Sequence, residues 1–288
     1  MRPETSMNKD PTRRAALVAG SAVLLEAATP GPPERVVSLN PCLDAILLAV
    51  ADRAQVAALS HYARDPYSST VAETARSLPF TYESAEEVMA LRPDLVLASR
   101  HTAPATRAAL QKFGVALELF DVPVTVAASL AQVDRVARLV GHPDRGAALI
   151  TRIRAALAAA APPPGARPVS VLVFQPQGFA AGDETLIGEL LRRTGFVNAA
   201  ARYGLKSWGN VSLERLIADP PDLLLSGEVS PGAPTWAERV VSHPALRALA
   251  GRMQRATFPE RLLYCGGPSL IATAELLAQA RRRAEARA

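Results

Sequence analysis

The chain is short of aromatics, cysteine, histidine and lysine, and each shortage removes a class of protein. Aromatics are 5% of the 288 residues, so where they fall carries more information than usual. The cysteines, Cys42 and Cys265, lie far apart and in no CxxC spacing, which indicates neither a zinc site nor a disulfide framework. His61, His101, His142 and His243 form no ligand pair at helical spacing, and no resident metal or other cofactor is expected. There is no GxSxG elbow, Walker loop, GxGxxG after a strand, HExxH or paired-carboxylate motif, so no catalytic residue is assigned and a non-enzyme is expected. Basic residues outnumber acidic ones, 32 to 27, but only Lys9, Lys112 and Lys206 are lysines, and the one dense run is Arg281–Arg283. Charge scattered in this way fits solvated helix faces better than a nucleic-acid track.

What is present begins with an export-like amino terminus. Thr12-Arg13-Arg14 precede an apolar run, Ala15–Leu25, followed by small residues and prolines from Ala27 to Pro33. The run is too short to span a bilayer, and its three regions read as a cleaved signal of twin-arginine type. Cleavage is expected near Ala28–Gly31, leaving a soluble periplasmic protein. No cysteine follows the run, which argues against a lipid anchor.

A long-period repeat organises the rest. Ser84–Ser99 (SAEEVMALRPDLVLAS) returns 128 positions later as Ser212–Gly227 (SLERLIADPPDLLLSG), with seven identities. An aromatic precedes each opening serine by four residues, Phe80 in one copy and Trp208 in the other. In each copy the serine caps a helix, with Glu87 completing a capping box in the first. Proline then stops the helix, Asp94 makes the turn, and an apolar run forms a strand buried on both faces. A period this long is no solenoid; it predicts one helix–strand unit used twice, in two similar lobes.

Around that unit, further strands are expected at Arg35–Leu39, Gln55–Ser60, Val115–Phe120, Val169–Phe174 and Leu262–Tyr264. Helices are expected at Leu43–Val50, Ala105–Phe113 and Leu270–Arg283. Val126–Val140 and Arg145–Ala161 are alanine-rich helices that end at Pro162-Pro163-Pro164-Gly165. The expected fold is α/β: two similar lobes with mainly parallel sheets flanked by helices, joined by a long rigid helix, with a ligand cleft between them. The boundaries are 1–30 for the signal, 31–124 for the N-terminal lobe, 125–161 for the helical connector and 162–288 for the C-terminal lobe.

This organisation resembles the periplasmic substrate-binding proteins of ABC importers, in the helical-backbone class that serves vitamin B12, ferric siderophores and haem. The resemblance runs from about Arg35 to Arg283 and is carried by the paired helix–Pro-Asp-Leu–strand units, the opening RVVSLNP and the closing YCGGPS. It implies a monomer that captures a small molecule, most simply a metal chelate, and delivers it to a permease dimer in the inner membrane. Glu86 and Glu214, one per lobe, match the family's permease-docking acids; an acid in a first helical turn also complements the helix dipole.

The resemblance places Asn40, Tyr62, Arg64, Phe80, Ser99, Arg100, Gln175, Phe179, Trp208 and Tyr264 at the cleft. Aromatic walls with a few polar groups suit a large flat ligand. Trp208 stands between polar, turn-forming neighbours, so a loop position is expected for it. Arg64 and Arg100 would either meet an acidic ligand or lie exposed on the surface. B12-binding members carry tryptophan where Ser99 falls, and this chain is poorer in aromatics, which argues against cobalamin specifically.

For Cys42 and Cys265 three readings stand: buried small side chains, the simplest; a cross-cleft disulfide; or thiolate contact with a metal or haem. The rival functions are a binding protein for a free metal ion, with His61 and His101 as ligands; one for a non-metal organic solute; and an enzyme using Cys42 with His61 as base.

Overall fold

The computed structural model describes Met1, residues 31–227 and residues 243–286; the rest of the expected export signal, residues 2–30, lies outside the described residues. In the N-terminal lobe, strands β1 (Val36–Ser38), β2 (Val56–Ser60), β3 (Phe80–Thr81), β4 (Leu95–Ser99) and β5 (Leu117–Phe120) form a parallel sheet in the order β3-β2-β1-β4-β5. Helices α1 (Pro41–Val50), α2 (Ala72–Ala75), α3 (Ala85–Ala90) and α4 (Pro104–Lys112) connect them. β1 and β4 are buried throughout, as their unbroken apolar runs require.

The C-terminal lobe contains β6 (Val169–Phe174), β7 (Phe179–Ala181), α7 (Leu186–Arg193), β8 (Phe196–Asn198), β9 (Trp208–Asn210), α8 (Leu213–Ala218) and β10 (Leu223–Ser226). After the undescribed residues 228–242 come α9 (Pro244–Ala248), β11 (Gln254–Thr257) and α10 (Ser269–Glu285). The sheet order is β11-β10-β6-β7-β9, with β8 also pairing β6. β6, β8, β10 and β11 run parallel, whereas β7 and β9 are antiparallel additions.

The repeat occupies equivalent places in both sheets. Leu95 opens β4 opposite Val36 of β1, and Leu223 opens β10 opposite Val171 of β6. Ser84 Oγ accepts from the Glu87 amide at 3.2 Å, and Ser212 Oγ from the Arg215 amide at 3.4 Å. The repeated aspartate does more than turn the chain. Asp94 accepts from the Glu34 and Arg35 amides, and Asp222 from the amide and hydroxyl of Ser170, so each pins the start of the neighbouring strand.

Four local expectations are corrected. Glu87 completes no capping box; its carboxylate turns back to Thr81 Oγ1 and the Tyr82 amide, both at 2.7 Å, because β3 brings those donors closer. Leu262–Tyr264 is no strand. Pro259 opens a 3₁₀ turn over Glu260–Leu262 that tucks Leu262 and Leu263 into the core, and the edge strand is the polar Gln254–Thr257. Trp208 begins strand β9 rather than lying on a loop, as Phe80 begins β3 in the other lobe. The two expected connector helices, α5 (Val126–Leu139) and α6 (Pro143–Ala159), do not run on as one long rigid helix but fold back on each other, with Gly146 set against Ala137, where a Cβ would come within 2.5 Å.

The connector is part of the core. A continuous apolar cluster runs from Val36, Leu59 and Leu97 through Ile46 and Leu47 of α1, Val133 and Val136 of α5 and Ile153 of α6. It continues to Leu270 and Leu277 of α10 and to Val171 and Leu225 of the second sheet. Packing of this density resists continuous deformation, so the lobes sit on a shared helical layer rather than at the ends of a tether.

Candidate functional site

In the N-terminal sheet the strand order reverses at β1/β4, and the crevice outside the carboxyl ends of such strands is the usual ligand position in an α/β fold. Asn40, Ser99 and Arg100 lie there. In the C-terminal sheet the corresponding ends are Gln175 after β6, Gly227 after β10 and the segment that follows β11. The two sets are joined covalently: Cys42, in the first turn of α1, and Cys265, just before α10, form a disulfide with a Cα separation of 5.0 Å. Of the three readings open for these cysteines the structure has the cross-cleft disulfide, not the simpler pair of buried thiols, which removes Cys42 as a nucleophile or metal ligand. The sequel is equally tight. Gly267 donates its amide to Ser129 Oγ at 2.7 Å, has φ +63°, and leaves no room for a Cβ, which would fall 2.7 Å from Ile46 Cγ1. Only glycine fits there.

The N-terminal side of the cleft is an aromatic row. Phe80 meets Tyr82 edge-on at 5.4 Å, Tyr82 meets His61 at 5.0 Å, and His61 meets Tyr62 at 3.9 Å. Tyr62 is 47% exposed and Tyr82 66%, large for aromatic rings. Beneath them His61 Nδ1 and Glu83 Oε1 are buried without hydrogen-bond partners, 3.9 Å apart. Burial raises the Glu83 carboxyl above the usual range, and Glu83 itself has φ +71°. Deeper still, Asp44 is wholly buried and hydrogen-bonded by Ser60; burial first of all pushes its pKa up to about 7.

Four of the expected contact residues make hydrogen bonds or ion pairs within the protein. Asn40 Oδ1 caps α1 through the Cys42 and Leu43 amides. Ser99 is buried and its hydroxyl accepts from the His101 amide. Arg64 donates to the carbonyls of Ala75, Arg76 and Leu78 while stacking 4.0 Å over Phe80. Arg100 is exposed and paired with Asp121. Each is near the cleft and has at least one polar atom engaged within the protein.

The C-terminal side is more ordered. Phe179 and Trp208, opposite ends of the β7/β9 pairing, stack with centroids 5.2 Å apart and planes 3° from parallel, and Tyr264 leans on Trp208 at 5.6 Å. A cavity of about 300 Å³ lies beside them, lined by Gln175, Pro176, Gln177, Phe179, Asn210, Glu260 and Tyr264. Gln175 is 2% exposed and neither of its amide atoms has a partner. Partial burial and then the nearby Asp65 raise Glu260, and burial and then Glu260 raise Tyr264. Of the residues that line this cavity, the sequence reading names Gln175, Phe179 and Tyr264, with Trp208 stacked beside them, and does not name Gln177, Asn210 or Glu260. The one usable signal for Glu260 was its place just after a strand end, hidden when that strand was put at 262–264.

Glu86 and Glu214 are both exposed at the second position of α3 and α8. The amino terminus of α8 and Ser212 hold the Glu214 carboxyl below the ordinary range.

A family model described as periplasmic binding protein matches residues 36–252. A cobalamin-binding protein of Halobacterium salinarum is 28% identical over 200 residues, which are 68% of this chain and 54% of that protein; the chain thus spans about half the length of the curated relatives it matches. Among solved structures, the periplasmic heme-binding protein RhuT from Roseiflexus sp. RS-1 superposes with a TM-score of 0.68 at 25% identity, covering 86% of this chain and 99% of that one. The periplasmic heme-binding protein BhuT, solved with two hemes, gives 0.70 at 25% identity, covering 88% and 99%. With its two α/β lobes, packed helical connector and cleft at the strand ends, the chain belongs to the periplasmic binding protein family.

Proposed function

We propose that the chain is the extracytoplasmic solute-binding component of an ABC importer, which captures a metal chelate of cobalamin, haem or ferric-siderophore type and delivers it to a permease without altering it. The observation that carries this reading is the stacked Phe179–Trp208 pair with Tyr264, set at the cleft beside an unpartnered buried amide. Rigid aromatic faces with few fixed polar groups suit a flat, mid-sized ligand. The names of the similar proteins, cobalamin-binding and heme-binding, support the same class. The disulfide suits an oxidising compartment, in keeping with export and removal of residues up to about Ala28–Gly31.

Within this reading, Tyr62, Phe80, Gln175, Phe179, Trp208 and Tyr264 contact ligand, while Asn40, Arg64, Ser99 and Arg100 hold the frame around it. The mature protein acts as a monomer of two lobes, 31–124 and 162–288, with 125–161 between them. Glu86 and Glu214 meet the permease, one per lobe. Titration of the mature protein with cobalamin, haemin and a panel of ferric siderophores, followed by tryptophan fluorescence, is expected to give saturable quenching with one of them. Absence of any response would move the ligand outside metal chelates. The paired substitution Glu86→Ala/Glu214→Ala is expected to keep ligand affinity and abolish uptake; unchanged uptake would remove the docking role.

A further inference from the structure

We infer that the C-terminal end of the cleft selects chelates edged with neutral hydrogen-bonding groups, amides above all, over those edged with carboxylates. The inference rests on the chelate-binding reading and narrows it to one class of ligand.

The cavity beside Trp208 holds an unusual set of polar groups. Gln175 offers a donor and an acceptor from one planar group, both buried and both without partners. Such groups are costly while unpaired, so native proteins keep few of them. The group that satisfies a donor and an acceptor together is another amide. Asn210, in the same lining, spends its Nδ2 on the Gln177 carbonyl and retains its oxygen as an acceptor. Glu260 adds a carboxylate, with Asp65 close enough to act on it. Apart from that carboxylate the polar groups of the lining, the amides of Gln175, Gln177 and Asn210 and the Tyr264 hydroxyl, are neutral and offer both donors and acceptors.

Charge points the same way. Among the described residues that line the cavity there is no lysine, arginine or histidine. Of the two arginines best placed by sequence to meet an acidic ligand, Arg64 is spent on three backbone carbonyls and the Phe80 face, and Arg100 is exposed outside this lining with its Nε paired to Asp121. A ligand carboxylate entering here would stand beside Glu260 with no cation among the described lining residues to offset it, and like charges at short range in a partly desolvated site repel. A neutral amide edge meets no such barrier.

Matched pairs that share a ring and differ only at the edge test this. Dicyanocobinamide, edged with amides, is compared with dicyanocobyrinic acid, edged with carboxylates; haemin dimethyl ester is compared with haemin. In whichever ring system binds, the neutral-edged member is expected to bind at least tenfold tighter, and Glu260→Gln is expected to narrow that ratio at least threefold. Gln175→Met keeps the side-chain length and removes the amide. It is expected to hold or raise the Tm of the free protein while weakening the neutral-edged member at least threefold. A carboxylate-edged member that binds as tightly or more tightly overturns the inference alone, as does a ratio unmoved by Glu260→Gln or an affinity unmoved by Gln175→Met. Binding of none of the four, together with no response to any ferric siderophore in the fluorescence titration, overturns the chelate reading on which it rests.

Discussion

The two lobes share a frame and differ in what they hang on it. Both contain the capped helix, the proline stop, the aspartate clamp and the buried strand, in the same register against the lobe's central strand. Around that frame the solutions diverge. Asn40 caps α1, and the acid four residues on, Asp44, turns inward to Ser60; Thr185 caps α7, and the acid four residues on, Glu189, reaches outward to the Val126 amide at the start of α5. The N-terminal wall is a row of tilted rings with one edge-to-face contact, on a short strand and a 3₁₀ turn, whereas the C-terminal wall is a stacked pair locked by an antiparallel ladder. Duplicated structure makes the scaffold; the unduplicated β7/β9 addition makes the firmer half of the site.

The largest effect is expected where the lobes are joined. The disulfide closes a separation of 223 residues, and loss of a bridge over a long loop costs roughly 2–5 kcal/mol. Cys42→Ala/Cys265→Ala should lower the Tm markedly, and dithiothreitol should do the same to the wild type but not to the variant. Equal melting of variant and oxidised wild type would mean that the shared helical layer alone fixes the lobes.

Next in size is a pH effect confined to the N-terminal lobe. Asp44 has a folded pKa of about 7 against 3.8 unexposed to the fold. Its contribution is complete below about pH 4 and fades as pH rises towards 7, because the unfolded chain releases a proton that the folded chain still holds. The loss is on the order of a few kcal/mol. Wild type should therefore lose more Tm between pH 5 and pH 8 than Asp44→Asn, which has no proton to release. Parallel pH profiles would show that Asp44 does not titrate in this range.

The duplicated clamp should behave alike in both lobes. Asp94→Ala and Asp222→Ala each free two donors at the head of a central strand, and each is expected to cost about 1–2 kcal/mol in denaturant unfolding. A strong inequality would show that one lobe leans on its clamp and the other on packing.

Legibility followed the same division. The repeat, both buried strands, the two connector helices and the terminal helix could be read because apolar periodicity, proline stops and serine caps agree there. What the repeated aspartates do was hidden, since their partners lie 52 to 60 residues away. β7 and β9 are three-residue strands, FAA and WGN, too short for any alternation to register. β11 is a polar edge, QRAT, so the more apolar Leu262–Tyr264 was mistaken for it. The disulfide left no pattern, as two cysteines 223 residues apart have no spacing to read; it is a fact of how the lobes meet. At the site, the aromatic residues were legible by type, but whether an arginine faces ligand or backbone carbonyls depends on neighbours that only the fold supplies.

The smallest effect decides which wall grips the ligand. Trp208 is half-buried, stacked on Phe179 and braced by Tyr264, so its face is presented without further loss of side-chain freedom, whereas Phe80 is covered on one side by the Arg64 guanidinium. An ordered ring loses less entropy on binding than a loose one, and an aromatic contact of this kind is worth about 0.5–1.5 kcal/mol beyond its buried area. Trp208→Ala should therefore weaken the bound chelate tenfold or more, and Phe80→Ala only a few-fold, when both are measured by calorimetry with the chelate that the fluorescence titration identifies. The reverse order would place the grip on the N-terminal row. The β7/β9 pair would then be a structural edge, and Tyr62, Phe80 and Tyr82 the residues that choose the ligand.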